Sequence, residues 1–164
     1  MGIVHGIKAF VPQMMDQDKE CYVINTASNA GLQVNGMLPV YFMSKHAAVS
    51  VSESLAIELQ IAKSKVKAFV FCPGLVPTNL SANSSQMKGD SDPYYQTDEN
   101  KAMVEFGRNA LANGLGLEDA MDGFFAGLEA DNFYIRTHLN EEEQVKYRLE
   151  RILSKSRPVP VADR

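Results

Sequence analysis

Two short apolar runs with a long helical pattern between them constrain this chain most. "CYVINTAS" (residues 21–28) and "KVKAFVFCPG" (65–74) are rich in β-branched and aromatic residues, too short for helices, and bounded by small polar residues or Pro-Gly. Each reads as a buried strand. Between them Val40 to about Ala62 reads as one long helix, with Pro39 placed to start it. A strand, a crossover helix and a second strand make a parallel βαβ unit. The flanking segments extend the alternation. Ile3, Ile7, Phe10, Val11 and Met14 put one apolar face on a helix over 3–15. That helix has no Ser, Thr, Asp or Asn to open it, which predicts further chain ahead of Met1. Residues 77–100, rich in Ser, Asn, Asp and Thr, read as a loop or lid too long for a simple connection. Helices follow at about 101–112 and 118–129, then a strand over "NFYIRT" (132–137), a last helix over "NEEEQVKYRLERILSK", and an extended tail. This order is that of an open parallel α/β sheet, here with three strands and no internal repeat.

Composition narrows the function. The formal charge is −4, and acidic and basic residues are mixed along all 164 positions with no Lys/Arg cluster, which argues against a nucleic-acid partner. No run approaches ~18 apolar residues and the N-terminus is not a secretory signal, so the expectation is a soluble, cytoplasmic protein without a membrane partner. Cys21 and Cys72 fall at opposite ends of the two runs, about 15 Å apart at ~3.3 Å per residue, too far for a disulfide. Both read as buried free thiols. His5, His46 and His138 have no ligand spacing with Cys or Asp, and no metal site is expected. The small residues Ser44, Ala47, Ala48 and Ser52 on the long helix would allow another helix to approach closely.

In open parallel sheets, ligands bind outside the carboxyl ends of the strands. "NTASNAG" ends the first strand there, "CPGLVPTN" ends the second, and "PVYFMSK" (39–45) opens the helix that follows the first. Tyr41 and Lys45 lie one helical turn apart. A nearby ammonium and a helix N-terminus both favour a phenolate, and a phenol poised in this way can exchange a proton with an alcohol or a carbonyl. Ser28, 41 − 28 = 13 residues upstream, can hydrogen-bond the same substrate oxygen. The hydride for such chemistry comes from a nicotinamide.

"VINTASNAG", Tyr41 thirteen residues after Ser28, Lys45, a long small-residue helix and a strand ending "PGLVPT" together resemble the short-chain dehydrogenase/reductase family in order and spacing, and the resemblance runs through most of the chain. It implies an α/β, Rossmann-like parallel sheet truncated to its last three strands with flanking helices. Residues 1–156 would be the carboxyl-terminal part of a single domain with a substrate-selecting lid at about 79–112, and 157–164 a tail. It further implies Tyr41 as general acid/base, Lys45 lowering its pKa and hydrogen-bonding the nicotinamide ribose, and Ser28 orienting the substrate oxygen. Pro73 and Gly74 would shape the turn beside the nicotinamide, with Val76 (through its backbone) and Thr78 meeting the carboxamide. The cofactor would be NAD or NADP, the substrate a small alcohol or ketone, and the assembly a homo-oligomer through helices 3–15 and 40–62. The family's glycine-rich pyrophosphate turn has no counterpart in this sequence, and its catalytic asparagine would fall just ahead of Met1. A second expectation is therefore a truncated, non-enzymatic paralogue acting as an oligomerisation or regulatory partner.

Overall fold

The computed structural model describes residues 1–35, 38–80, 83, 97–138 and 142–159. Helix α1 (Gly2–Asp16) leads into strand β1 (Cys21–Thr26), a 3-10 turn (Asn29–Gly31), helix α2 (Pro39–Ile61) and strand β2 (Val66–Cys72). Helices α3 (Asp98–Ala112) and α4 (Leu117–Glu129), strand β3 (Tyr134–Arg136) and helix α5 (Glu142–Leu153) follow. The sheet order is β1-β2-β3, all parallel, with Cys21 opposite Val66, Thr26 opposite Phe71 and Cys72 opposite Arg136. The α/β class and the three-stranded parallel sheet expected from the alternation are those observed.

The chain divides into two compact units, Met1–Pro73 with Gly123–Arg164, and Gly74–Asp122. In the first, the residues that alternate along β2 decide the packing. Val66 and Ala68 meet Val11 of α1 and Leu55, Ala56 and Leu59 of α2, while Val70 and Cys72 meet Ala27, Ala48 and Val49. Both helices thus cover one face of the sheet. On the other face Phe71 packs edge-on against Phe124 of α4 at 4.9 Å between ring centroids. In the second unit, Leu115 N donates to Leu75 O at 2.9 Å. A Cβ on Gly114 would fall 2.2 Å from that same Leu75 oxygen, so the turn accepts only glycine.

Local chemistry explains where element bounds differ from the sequence expectation. Helix α3 begins at Asp98, not 101, because Thr97 caps it, its Oγ1 accepting from Asn100 N at 3.3 Å. Strand β3 is three residues long, not six: Tyr134, Ile135 and Arg136 pair with Val70, Phe71 and Cys72 of β2, and Phe133 just ahead of them adds one bond, its carbonyl accepting from Val70 N at 2.9 Å. Of the small residues of α2, Ala48 belongs to a cluster against which Ile3 of α1 packs. Ala48 and Ser52 face the sheet, where the Ser52 hydroxyl accepts from Asn25 Nδ2 at 3.0 Å and donates to Ala48 O at 2.7 Å, while Ser44 and Ala47 are exposed. Both cysteines are free as expected, but Cys21 is only half-buried. Residues 81–82 and 84–96 of the expected lid and 160–164 of the tail lie outside the described residues. Among the described residues no helix is long and apolar enough to cross a membrane, and no group of His, Cys, Asp and Glu could hold a metal ion.

Candidate active site

The β1–β2 ladder continues past the last residue of β1. Ala27 N donates to Phe71 O at 2.7 Å and Asn29 N to Pro73 O at 2.9 Å. Ser28, between them, has fully extended backbone (φ −179°, ψ 164°) and then caps the 3-10 turn, its Oγ accepting from Ala30 N at 3.2 Å. The same hydroxyl donates to Pro73 O at 3.4 Å. Ser28 Oγ is therefore held at the carboxyl end of the sheet by both strands. Its single proton rests on a long, weak bond, and a better acceptor on a substrate can take that proton at little cost.

The crossover that follows β1 brings the N-terminus of α2 to the same end of the sheet. Pro39 opens that helix, and the first two turns carry Tyr41 and Lys45. The 3-10 turn is pressed against them: a Cβ on Gly31 would fall 2.7 Å from both Lys45 O and Val49 Cγ2. Lys45 Nζ lies 5.6 Å from the centroid of the Tyr41 ring, which packs edge-on against Phe42. Half-burial pushes the Lys45 ammonium below its ordinary pKa, with the neighbouring Cys72 acting weakly in the other direction. No carboxylate contributes to that shift. A desolvated ammonium that has no carboxylate partner among the described residues is matched to hydroxyl or carbonyl acceptors brought by a ligand.

Of the residues singled out in the sequence, Ser28, Tyr41, Lys45 and Pro73 lie in the first compact unit. Gly74 opens the second, which also carries Val76, half-buried, and Thr78, exposed, whose Oγ1 accepts from Leu80 N at 3.4 Å. One feature escaped sequence reading, and one expected feature governs reactivity. Gly31 is required by contact with α2, and its only signal was the Asn-Ala-Gly triplet. Cys72 is fully buried, as expected, and desolvation pushes its thiol up to about 11 against the weaker opposing pull of the Ser28 backbone, Arg136 and Lys45. Native chain exposed to iodoacetamide at pH 8 is therefore expected to leave Cys72 unmodified until denaturant is added. Mass spectrometry of the digested protein checks this. The Asn29 carboxamide is also buried, and among the described residues neither its oxygen nor its nitrogen has a hydrogen-bond partner. Such a cost is seldom kept in a site without a role.

A family model described as short chain dehydrogenase matches residues 1–89. The CLA biosynthesis dehydrogenase/reductase of Lactiplantibacillus plantarum is 32% identical over 162 residues, 96% of this chain and 57% of the relative. Rat 15-hydroxyprostaglandin dehydrogenase [NAD(+)] is 35% identical over 97 residues, 57% of this chain and 36% of the relative. Among solved structures, a short chain dehydrogenase/reductase from Burkholderia phymatum in complex with NAD superposes with a TM-score of 0.86 at 31% identity, over 96% of this chain and 57% of that one. The chain thus spans little more than half the length of the relatives that it matches most fully.

Proposed function

Since the chain belongs to the short-chain dehydrogenase family, we propose that it carries the proton-transfer half of an NAD- or NADP-dependent oxidoreductase that interconverts a small alcohol and a carbonyl compound. The observation that carries this reading is the pairing of Tyr41 with a half-buried Lys45 at the same sheet end where Ser28 Oγ is held. Tyr41 gives its phenolic proton to the substrate carbonyl oxygen in reduction and takes the hydroxyl proton in oxidation. Ser28 leaves Pro73 O to donate to that oxygen and fixes its position. Lys45 holds ribose hydroxyls and supplies the positive charge beside the phenol. When bound, the nicotinamide supplies or accepts the hydride. Pro73, which accepts from Ser28 Oγ, would border the nicotinamide.

The residues present fit only one end of that cofactor. Lys45, desolvated and without a carboxylate, suits the nicotinamide ribose. The sequence offers no glycine-rich strand-to-helix turn for the pyrophosphate, whose backbone N–H groups and helix dipole supply much of a dinucleotide's affinity. Binding by these 164 residues is therefore expected to be weak. The test is a fluorescence titration of the purified chain with NADH and with NADPH, repeated on Lys45→Ala. Saturation in the high-micromolar to millimolar range, lost in Lys45→Ala, supports the site. Titrations that Lys45→Ala leaves unchanged would mean that Lys45 is not its ribose anchor.

Assembly as a homo-oligomer through α1 and α2 belongs to the same proposal. Val40, Met43, Ala47, Ser50, Ser54, Ile57 and Ile61 are exposed along one stripe of α2 at alternating spacings of three and four. An exposed seam of that period fits a second helix.

A further inference from the structure

Helix α5 rests on its compact unit mainly by polar residues. Gln144, Val145, Tyr147, Arg148 and Arg151 are half-buried, and of these only Val145 is aliphatic. The Arg151 guanidinium folds back over the Tyr147 ring, 5.0 Å from its centroid, and its Nε donates to the Tyr147 hydroxyl at 2.9 Å. The apolar residues turn outward. Leu149 is 49%, Ile152 56% and Leu153 81% exposed, and no residue of the helix is buried. At three and four positions from Leu149, Ile152 and Leu153 complete one patch. A surface helix of a globular fold ordinarily buries such a stripe.

Charge is segregated along the same helix. Glu142 and Glu143 stand in its first turn, where Glu142 lies 3.8 Å from Arg136 Nη1 and 3.7 Å from Lys146 Nζ. The basic residues lie further on. Residues 145–157 hold Lys146, Arg148, Arg151, Lys155 and Arg157 against Glu150 alone, a formal +4 on a chain of net −4, which leaves −8 on the remainder. Spaced two to four positions apart, these five make no run in the sequence. Lys155 and Arg157, just past the apolar patch, are both exposed. An outward apolar patch beside cations, joined to an acidic body, is the pattern of a helix that lies on an anionic lipid surface. A partner helix would need a longer seam, such as the stripe of α2 from Val40 to Ile61. The α5 patch ends at Leu153, where bonds from Lys155 N to Ile152 O and from Ser156 N to Arg151 O close the helix. The lack of a spanning run bears only on crossing a membrane, since a surface-lying helix enters no further than the headgroup boundary.

We propose that the carboxyl-terminal half of α5 docks the protein on an anionic phospholipid bilayer. Leu149, Ile152 and Leu153 enter the interface, while Lys146, Lys155 and Arg157 meet the headgroup phosphates. The acidic first turn, beside Arg136, stays clear of the lipid.

The probe is a suspension of vesicles, either of phosphatidylcholine alone or with about 30% phosphatidylserine, with which the 164-residue chain is co-sedimented at low and at high salt. Partitioning is expected to be about 10-fold or more greater on the phosphatidylserine vesicles, and to fall by a similar factor at about 0.5 M salt. Lys155→Gln and Arg157→Gln should each weaken it about fivefold, and Leu153→Glu should abolish it. All three positions are exposed, so circular dichroism should be unchanged. Ile57→Glu, on the exposed stripe of α2, is the control and should bind as the parent does. Partitioning that is absent, that is equal on the two vesicles, or that is lost in Ile57→Glu but kept in Leu153→Glu overturns the proposal. So does a dimer in size-exclusion chromatography that Leu153→Glu dissociates, which would mean that a second copy covers the patch.

Discussion

Gly31→Ala is expected to destabilise the chain by about 2–3 kcal/mol, the usual cost of forcing a methyl into a packed site. The contacts explain the size. The added carbon would lie 2.7 Å from Lys45 O and 2.7 Å from Val49 Cγ2. Val49 is β-branched and 5% exposed, so its methyl has no free rotamer, and the Lys45 carbonyl belongs to the helix backbone. Relief requires the 3-10 turn to back away from α2. That movement also pulls on Ala30, whose N–H holds Ser28 Oγ, so the site should loosen with the fold. Urea denaturation followed by circular dichroism checks the prediction, with Gly6→Ala as the control. Gly6 lies inside α1 with open space around it, and alanine there should stabilise by roughly 0.5–1 kcal/mol. Opposite signs for the same chemical change would show that packing against α2 decides at Gly31. A Gly31→Ala midpoint equal to that of the parent would mean that the turn does not rest on Lys45 and Val49.

That contrast also marks what could be read from sequence. Periodicity identifies elements whose residues answer to their own neighbours: the β-branched run at 21–26, the helix opened by Pro39, the second run at 66–72. It placed Ser28, Tyr41, Lys45 and Pro73 at one sheet end because parallel topology leaves few alternatives. It misjudged features set by contacts distant in sequence. Ala48 and Ser52 face the sheet, with Ile3 of α1 packed against the cluster that holds Ala48, and nothing local says how the two share the contact. Strand β3 stops at Arg136 because β2 stops at Cys72, its partner across the ladder. The hydrogen bond from Asn25 to Ser52 spans 27 residues, and each partner alone reads as an ordinary polar residue. Thr97 was the exception, a local cap signal that sequence reading passed over in a stretch rich in polar residues.

Tyr41→Phe is expected to lower alcohol–carbonyl turnover by a factor of about 10² to 10⁴ while changing nucleotide affinity and stability little. Only the hydroxyl is removed. The phenylalanine ring keeps the edge-on contact with Phe42 and still presents a π face to Lys45 Nζ, 5.6 Å from the centroid in the parent. No hydrogen bond within the helix is touched, because the Ser44 hydroxyl donates to the Tyr41 backbone oxygen, which every substitution retains. The loss should therefore fall on kcat, whereas Lys45→Ala removes a binding group and should act on nucleotide affinity as well. Turnover is measured in a fusion that carries, ahead of Met1, the portion of the Lactiplantibacillus plantarum relative outside the matched region, with thermal denaturation run on each variant. A Tyr41→Phe protein as active as its parent would identify another group as the proton donor, and Tyr41 would then be a packing residue of the first turn. A large loss in kcat with unchanged melting and unchanged nucleotide binding would assign the transferred proton to the phenol, since no other property of the site distinguishes the two side chains.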